Sequence, residues 1–260
     1  MSEFVLAKVE IDETAATIAA ERQYVDHAVN AIKTARADIE RQIRRDQFFL
    51  TTLEPYDLPD AAPKVLRRMC EASRAAGVGP MATVAGAIAQ EALEAMVEHG
   101  CSHGWVDNGG DIALILDQMV TVEVFSAPGS RDSVGLEIEP TRGIIGVCTS
   151  SGRFGHSISF GDADAAVVLA GDAYLADALA TAIGNCIVDG PSMAGCFDGF
   201  KHIRGFTAGL VVRDGDVAMY GKLPKIVKVE HNPDRVTAHS KMSSSKYLGK
   251  SDILSDEVRT

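Results

Sequence analysis

The sequence predicts an α+β fold, in which helices pack against β-sheets. Three observations support this class. Helical periodicity dominates roughly the first 100 residues, short apolar runs between turn signals follow it, and few β-α-β alternations occur. A doubly wound parallel sheet requires regular alternation of strands and helices, so the order of these elements argues against it.

The N-terminal part is predicted to contain one strand and three helices. Residues 4–11 alternate in the manner of a strand, and apolar residues at helical spacing indicate an amphipathic helix over about 21–45. A second helix ends at Gly77, a suitable left-handed cap. Pro80 opens a third helix at a position where proline costs little, and Gly100 closes it.

The C-terminal part is predicted to consist mainly of strands. Asp172 is placed to cap a helix that runs to Ile183, and Asp214-Gly215 is a hairpin signal between two apolar runs. The predicted strands are residues 112–116, 120–125, 134–138, 144–148, 165–170, 210–213 and 217–220.

Composition limits the function and the location. The chain has 260 residues and a formal net charge of -11, which argues against a broad nucleic-acid footprint. The five cysteines form no C-x-x-C pair, which disfavours a disulfide framework or a structural zinc site. Neither a signal peptide nor a membrane-spanning segment is recognised, so a cytoplasmic location is expected. We expect one domain over 1–230, followed at 231–260 by a polar tail that is mobile or docked to a partner.

Two glycine-containing segments are candidate ligand loops. The first, residues 77–82, superficially fits a dinucleotide fingerprint but follows a helix. It is either a helix–helix turn or a helix N-terminus that receives an anion. The second places Gly109 and Gly110 beside Asp111, where a backbone could pass close to a ligand. Taken alone, the pair Asn108-Gly109 favours an ordinary hairpin turn.

The end of a predicted strand carries several small polar side chains. Cys148 is followed by Thr149, Ser150 and Ser151, and His156 lies a little further on. Cys148 and His156 could form a thiolate–imidazolium pair. The commoner alternative is a buried cysteine that acts as a small apolar residue, beside a structural histidine.

One predicted helix carries a candidate metal site. Asp177 and Thr181 are four residues apart and therefore share a face of this helix. A carboxylate and a hydroxyl so placed suit a hard cation that takes oxygen ligands. A solvated helix face is the simpler alternative.

Taken in order, these segments resemble the ApbE-like superfamily, whose characterised members are FAD:protein FMN transferases. The likeness is closer to an uncharacterised branch of that superfamily, common in anaerobic microbes, and it covers about Gly77 to Asn185. The matching segments are Ala85-Gly86, residues 108–111, residues 149–152, His156 and residues 176–182.

The resemblance implies a T-fold-related architecture with mixed or antiparallel sheets, and a flavin-nucleotide site. Asp177 and Thr181 would bind Mg²⁺, which bridges to the pyrophosphate of FAD in the transferases. His156 would be the catalytic base, beside Cys148 as a second candidate catalytic residue. The residues that would line FAD, FMN or another nucleotide are Gly109, Gly110, Asp111, Thr149, Ser150 and Ser151.

Departures from the family pattern limit the expected chemistry. Ala85 stands at the family's lysine, Gln90 stands at a family aspartate, and the proline expected after His156 is absent. We therefore expect Mg²⁺-dependent binding of a flavin or another diphosphate nucleotide. Transfer of FMN to a protein, by a transferase with degenerate catalytic residues, is disfavoured.

Two alternatives come from other functional classes. The branch is suspected of supporting sulfide assimilation and homocysteine formation, for which Cys148 would carry the sulfur and a protein partner in sulfur metabolism is possible. The other alternative is a non-catalytic module that binds a partner through its first helix and its tail. The chain could also form a homodimer.

Overall fold

The computed structural model describes residues 3–126, 132–151, 161–187, 193, 195–230 and 253–254. These residues confirm the α+β class. The helices are α1 (Arg22–Arg45), α2 (Phe48–Thr51), α3 (Lys64–Ala76), α4 (Val84–Glu98) and α5 (Ala173–Asn185). The strands are β1 (Phe4–Ile11), β2 (Thr14–Glu21), β3 (Gly104–Asn108), β4 (Asp111–Ile115), β5 (Val120–Ser126), β6 (Asp132–Ile138), β7 (Ile145–Ser150), β8 (Ala165–Ala170), β9 (Phe206–Arg213), β10 (Asp216–Gly221), β11 (Lys225–Glu230) and β12 (Ile253–Leu254).

The strands form two antiparallel sheets. The larger sheet has the order β10-β9-β8-β7-β4-β3-β2-β1-β12, and the smaller has the order β11-β6-β5. The five helices pack on one face of the larger sheet, in a core that includes Ile18, Ile32 and Leu179. The smaller sheet covers part of the opposite face through Leu136, which packs with Leu114 of the larger sheet. The large sheet is therefore the middle layer, and each of its faces carries its own core.

Two hairpin turns form at the residues where the sequence predicts them. Gly109 and Gly110, with φ of 72° and 100°, connect β3 to β4. Asp214 and Gly215, with φ of 51° and 87°, connect β9 to β10. Two successive residues with positive φ make the type of turn whose twist matches the flanking strands, and glycine adopts it without steric cost.

Several helix boundaries follow from single residues. α3 ends at Gly77, which has φ of 74° and acts as the left-handed cap that the sequence predicts. α5 begins after Asp172, whose side chain accepts the Leu175 N–H at 2.9 Å. The helix expected from Pro80 needs correction. Pro80–Thr83 is a single 3₁₀ turn, and the α-helix itself begins at Val84.

Strand β2 was not predicted from the sequence. Residues 14–20 are all buried, so the strand lacks the polar–apolar alternation of a half-exposed strand. Of the C-terminal tail, only Ile253 and Leu254 belong to the described residues, and they pair with β1. No helix in the described part of the chain is long and apolar enough to cross a membrane.

Candidate functional site

The candidate site is built around Asp177, which lies one turn into α5 and is 8% exposed. One of its oxygens, Oδ2, accepts the backbone N–H of Gly86 at 2.9 Å, and the N–H of Ala85 also donates to this carboxylate. Ala85 and Gly86 are the second and third residues of α4, where backbone N–H groups lack partners within the helix. The N-terminus of α4, which follows the 77–82 segment considered as an anion receptor, therefore receives a carboxylate of the protein itself.

Glycine at position 86 allows this contact between α4 and α5. A Cβ atom added at Gly86 would lie 2.2 Å from the carbonyl oxygen of Ala173 and 2.8 Å from the Cβ of Asp177. No other residue type fits between the helices without moving them. Asn108 of β3 contacts the same end of α4, because its side-chain amide donates to the Ala85 carbonyl oxygen at 3.1 Å.

The β3–β4 hairpin and the end of β7 form the sheet side of the site. Asp111, the first residue of β4, is the cross-strand partner of Cys148 in β7. Cross-strand partners project to the same face of a sheet. Because Cys148 belongs to the core under the helices, Asp111 also faces the helices. The turn is held by the Gly110 N–H, which donates to Asp107 at 2.8 Å, and by the Thr149 N–H, which donates to the Gly110 carbonyl at 3.2 Å.

Burial raises the pKa of both carboxylates. Burial is the largest cause for Asp111, and the negative charge of Asp177 adds to it. The pKa of Asp177 is raised by burial, while the N–H donors of Gly86 and Ala85 act in the opposite direction. A positive ion placed between the two carboxylates would offset both the burial and the repulsion.

Cys148 is fully buried, and its thiol is the third member of this group. The Ala173 carbonyl oxygen lies 3.6 Å from its Sγ, and the Asp111 carboxylate is a second acceptor for its single proton. Burial, followed by the charges of Asp111 and Asp177, raises the pKa of the thiol well above its ordinary value. The neutral thiol is therefore the stable form in this environment.

Of the remaining predicted site residues, some lie close to Asp177 and α5 and one projects away from the helices. Thr181 lies one turn beyond Asp177 on α5 and is partly buried. Ser150 is close to the same helix, since a Cβ at Gly184 would lie 3.7 Å from its Oγ. Thr149 pairs with Val167, which belongs to the core between the two sheets, so its side chain projects away from the helices.

Two further predictions concern the chain after β7. Ser151 is partly buried, immediately after the end of the strand. His156 lies outside the described residues. Among the residues that the structure does describe, no group of three or more histidine, cysteine and acidic side chains is arranged to hold a metal ion. A cation here would therefore need hydroxyl, backbone, water or ligand oxygens in addition to the carboxylates.

The donors at this place nevertheless suit Mg²⁺. The carboxylates of Asp177 and Asp111 and the hydroxyls of Thr181 and Ser150 supply oxygen, which hard cations prefer. The negative charge of Asp177, which disfavours ionisation of Asp111, would also favour a cation here. The residues present therefore fit the magnesium ion that the resemblance implies.

Asn108, Gln90 and Gly86 were named from the sequence, but the contacts through which they shape the site were not predicted. Asn108 and Gln90 act through tertiary hydrogen bonds, which leave no signal in local sequence. Gly86 did have a signal, because a glycine inside an otherwise favourable helix weakens it and usually marks close packing.

Comparisons with known proteins agree with the fold and the sequence motifs. The family model described as AbpE bacteria matches residues 3–194. The UPF0280 protein of Methanocella arvoryzae is 47% identical over 231 residues, covering 89% of this chain and 94% of the relative. The UPF0280 protein of Methanosarcina acetivorans is 44% identical over 230 residues, covering 88% and 91%.

Solved structures extend the comparison to distant proteins. The flavin transferase ApbE from Vibrio cholerae matches with a TM-score of 0.55 and 13% identity, covering 85% of this chain and 97% of its own. The ApbE protein from Thermotoga maritima matches with a TM-score of 0.56 and 14% identity, with the same coverage. At such low identity the likeness supports the fold.

Proposed function

The chain belongs to the ApbE-like family described as AbpE bacteria, and from this premise we propose that it binds a flavin nucleotide or another diphosphate nucleotide through Mg²⁺. Asp177 and Thr181 would hold the ion, and Asp111 would face it from the sheet. The solved relatives that share the fold include flavin transferases, which favours FAD as the first ligand to test.

The observation that carries this proposal is the pair of carboxylates on facing elements. Asp177 of α5 is buried and Asp111 of β4 is partly buried, and the pKa of each carboxyl is raised. Such a pair is unfavourable without a compensating charge. A divalent cation provides that charge and also presents open coordination positions to phosphate oxygens.

The diphosphate would approach over the β3–β4 turn. A Cβ added at Gly109 or Gly110 would meet no atom within 4 Å, so the turn has open space beside it. The site residues that the structure describes are acidic, hydroxyl-bearing or neutral, and none of them carries a positive charge. Phosphate binding at these residues therefore depends on the metal ion.

The residues around the proposed metal site determine which chemistry a bound diphosphate could undergo. Bound Mg²⁺ would neutralise charge on the diphosphate and polarise its phosphorus–oxygen bonds. Asp177 is oriented for this role by the Gly86 N–H, which fixes one of its oxygens. Ala85 offers no proton-transferring side chain at the position of the family's lysine. We therefore propose nucleotide binding as the function. Whether FMN is also transferred to a protein is tested separately, by analysis of the reaction products.

The alternative of sulfur handling has no support in the site. A persulfide-forming cysteine must be accessible and must ionise readily. Cys148 is 0% exposed, and its thiol pKa is raised. The alternative of a non-catalytic partner-binding module is likewise not favoured by any comparison.

The proposal is tested with the variant Asp177→Asn and the matched control Asp60→Asn, which changes an exposed aspartate. FAD binding in the presence of MgCl₂ is measured by quenching of flavin fluorescence. We expect about 10- to 100-fold weaker binding for Asp177→Asn, in line with the loss of a group at a metal site. The control should match the parent protein.

Unchanged FAD affinity in Asp177→Asn would contradict the assignment of the metal site. The same samples are analysed for FMN and AMP by chromatography. Their release would show that cleavage of the diphosphate accompanies binding, and their absence would leave a binding protein.

A further inference from the structure

Two hydrogen bonds join α4 and α5 at the candidate site. The Gly86 N–H donates to Oδ2 of Asp177 at 2.9 Å, and the Ala173 N–H donates to Oε1 of Gln90 at 2.9 Å. Gly86 and Gln90 are four residues apart on α4, and Ala173 and Asp177 are four residues apart on α5. Each pair therefore shares one helix face, and the bonds lie about one turn apart on antiparallel helices.

The orientation of the Gln90 amide is set from its other end. Its Nε2 donates to Oε1 of Glu94 at 2.9 Å, so its Oε1 is directed at the N-terminus of α5. Glu94 is itself held by Arg68 at 2.7 Å and by Lys64 at 2.6 Å. Gln90 is 2% exposed, and both ends of its amide are used within the protein. It is therefore not available as a catalytic base or as a ligand contact.

We propose that Gln90 is a positioning residue for Asp177. It accepts the first N–H of α5 and thereby fixes how far this helix extends along α4. Helical residues rise about 1.5 Å each, so a slide of α5 by one residue is enough to break the 2.9 Å bond between Asp177 and Gly86. Gln90 stands where the family has an aspartate, and its role here is then to orient the proposed metal ligand, Asp177. Its effect on ligand binding rests on the function proposed above.

The packing of α4 against α5 supports the view that the two hydrogen bonds depend on one register of the helices. Gly86 leaves no space for a Cβ against Ala173 and Asp177, so the two helices are in close contact where Asp177 reaches α4. Asp172 satisfies the Leu175 N–H but not that of Ala173. Gln90 therefore completes the cap of α5 from a neighbouring helix, and the same contact sets the register of the two helices.

Amide hydrogen exchange tests the proposal without any ligand. Backbone N–H groups in the first turn of a helix lack intrahelical acceptors, so protection of the Ala173 and Gly86 amides reports their two side-chain acceptors. The variant Gln90→Met keeps the size of the side chain and removes the acceptor. We expect protection to fall about tenfold or more at Ala173 and, through the shift of α5, also at Gly86. The control Gln118→Met, at an exposed position, should change neither amide.

Loss of protection at Ala173 with unchanged protection at Gly86 would overturn the proposal, because Gln90 would then be a local cap only. Gln90→Glu retains an oxygen acceptor but faces the Glu94 carboxylate, so it should restore protection at both amides only at acidic pH, where one of the two carboxyl groups is protonated; no protection at acidic pH would also count against the proposal. If Gln90→Met does not fold, Glu94→Met, which removes the acceptor of the Gln90 Nε2, is used instead. This variant frees the Gln90 amide to rotate and should lower protection at both amides together; full protection at both would refute the assignment.

Ligand binding adds a second, separable readout. Gln90→Met should weaken Mg²⁺-dependent FAD binding about tenfold. If the parent protein binds no FAD, the proposed function fails, while the exchange pattern still decides the role of Gln90. If FAD binding is strong and unaffected in Gln90→Met, the positioning role fails and the proposed function stands.

Discussion

Asp177 carries two roles that compete for the same carboxylate. It caps α4 through Gly86 and Ala85, which stabilises the helix N-terminus by placing a negative charge there. It is also the proposed Mg²⁺ ligand. The two roles are compatible because a carboxylate has two oxygens, and the cap fixes the direction in which the second oxygen acts.

Cysteine reactivity is a prediction at the residue scale. Cys186 is exposed, whereas Cys148 is fully buried and Cys70 is nearly so. In the folded protein we expect iodoacetamide to modify Cys186 first and to leave Cys148 and Cys70 intact until the chain is unfolded. Peptide mass spectrometry after timed labelling measures this order. Rapid labelling of Cys148 would show that the site is open and would revive a role for its thiol.

The labelling rate of Cys196 is expected to depend on pH. Burial raises its thiol pKa to about 11, and the thiolate is the reactive form. At pH 8 about one molecule in a thousand then carries the thiolate, and this fraction rises about tenfold for each pH unit up to pH 10. The labelling rate of Cys196 should follow the same slope. A rate that is already maximal at pH 8 would contradict the raised pKa.

At the scale of elements, the contact between α4 and α5 depends on the absence of a side chain at position 86. Gly86→Ala forces a Cβ to within 2.2 Å of the Ala173 carbonyl oxygen, so the helices must separate. We expect a loss of about 3 kcal/mol in the free energy of unfolding, as for severe overpacking. Denaturation by urea measures it.

Gly77→Ala is the matched control. Gly77 has φ of 74° but open space around it, so an alanine there is strained and does not collide with other atoms. The expected loss is about 1 kcal/mol, the cost of the left-handed conformation for a residue with a Cβ. Equal losses for the two variants would mean that the helices are not in tight contact at Gly86.

Elements with local signals could be predicted from the sequence. Gly77 as a cap, Asp172 as a cap and Asp214-Gly215 as a turn act through their own backbone or through residues nearby in the chain. Strand β2 could not be predicted, because burial on both faces removes the alternation that marks a strand. The acceptor role of Gln90 was equally inaccessible, since its partner lies 83 residues away in the chain.

At the scale of the whole molecule, the site is assembled from distant segments of the chain. The start of α4, the β3–β4 turn, the end of β7 and the middle of α5 meet because β4 and β7 are neighbours in the sheet and α5 packs across them. No spacing rule predicts this meeting. The order of motifs matched a family of known fold, and this resemblance singled out Asp177 and Asp111 as candidate site residues before any geometry was known.

The wider setting of the protein stays a prediction. A cytoplasmic location and a homodimer are both expectations from the sequence, and the homodimer is checked by light scattering of the purified chain. The fold and the family are better founded, because they rest on the family match over residues 3–194 and on structures that cover most of the chain.

The most direct test of the account is FAD binding by the purified protein with MgCl₂ and with EDTA, followed by flavin fluorescence. We predict saturable binding with Mg²⁺ and a loss of at least about tenfold in affinity without it, because phosphate has no positively charged side chain among the assigned residues to replace the ion. A thermal shift that grows with FAD concentration only in the presence of Mg²⁺ would accompany it. Binding that is equally strong in EDTA, or no binding in either condition, would contradict the proposed metal-dependent nucleotide site.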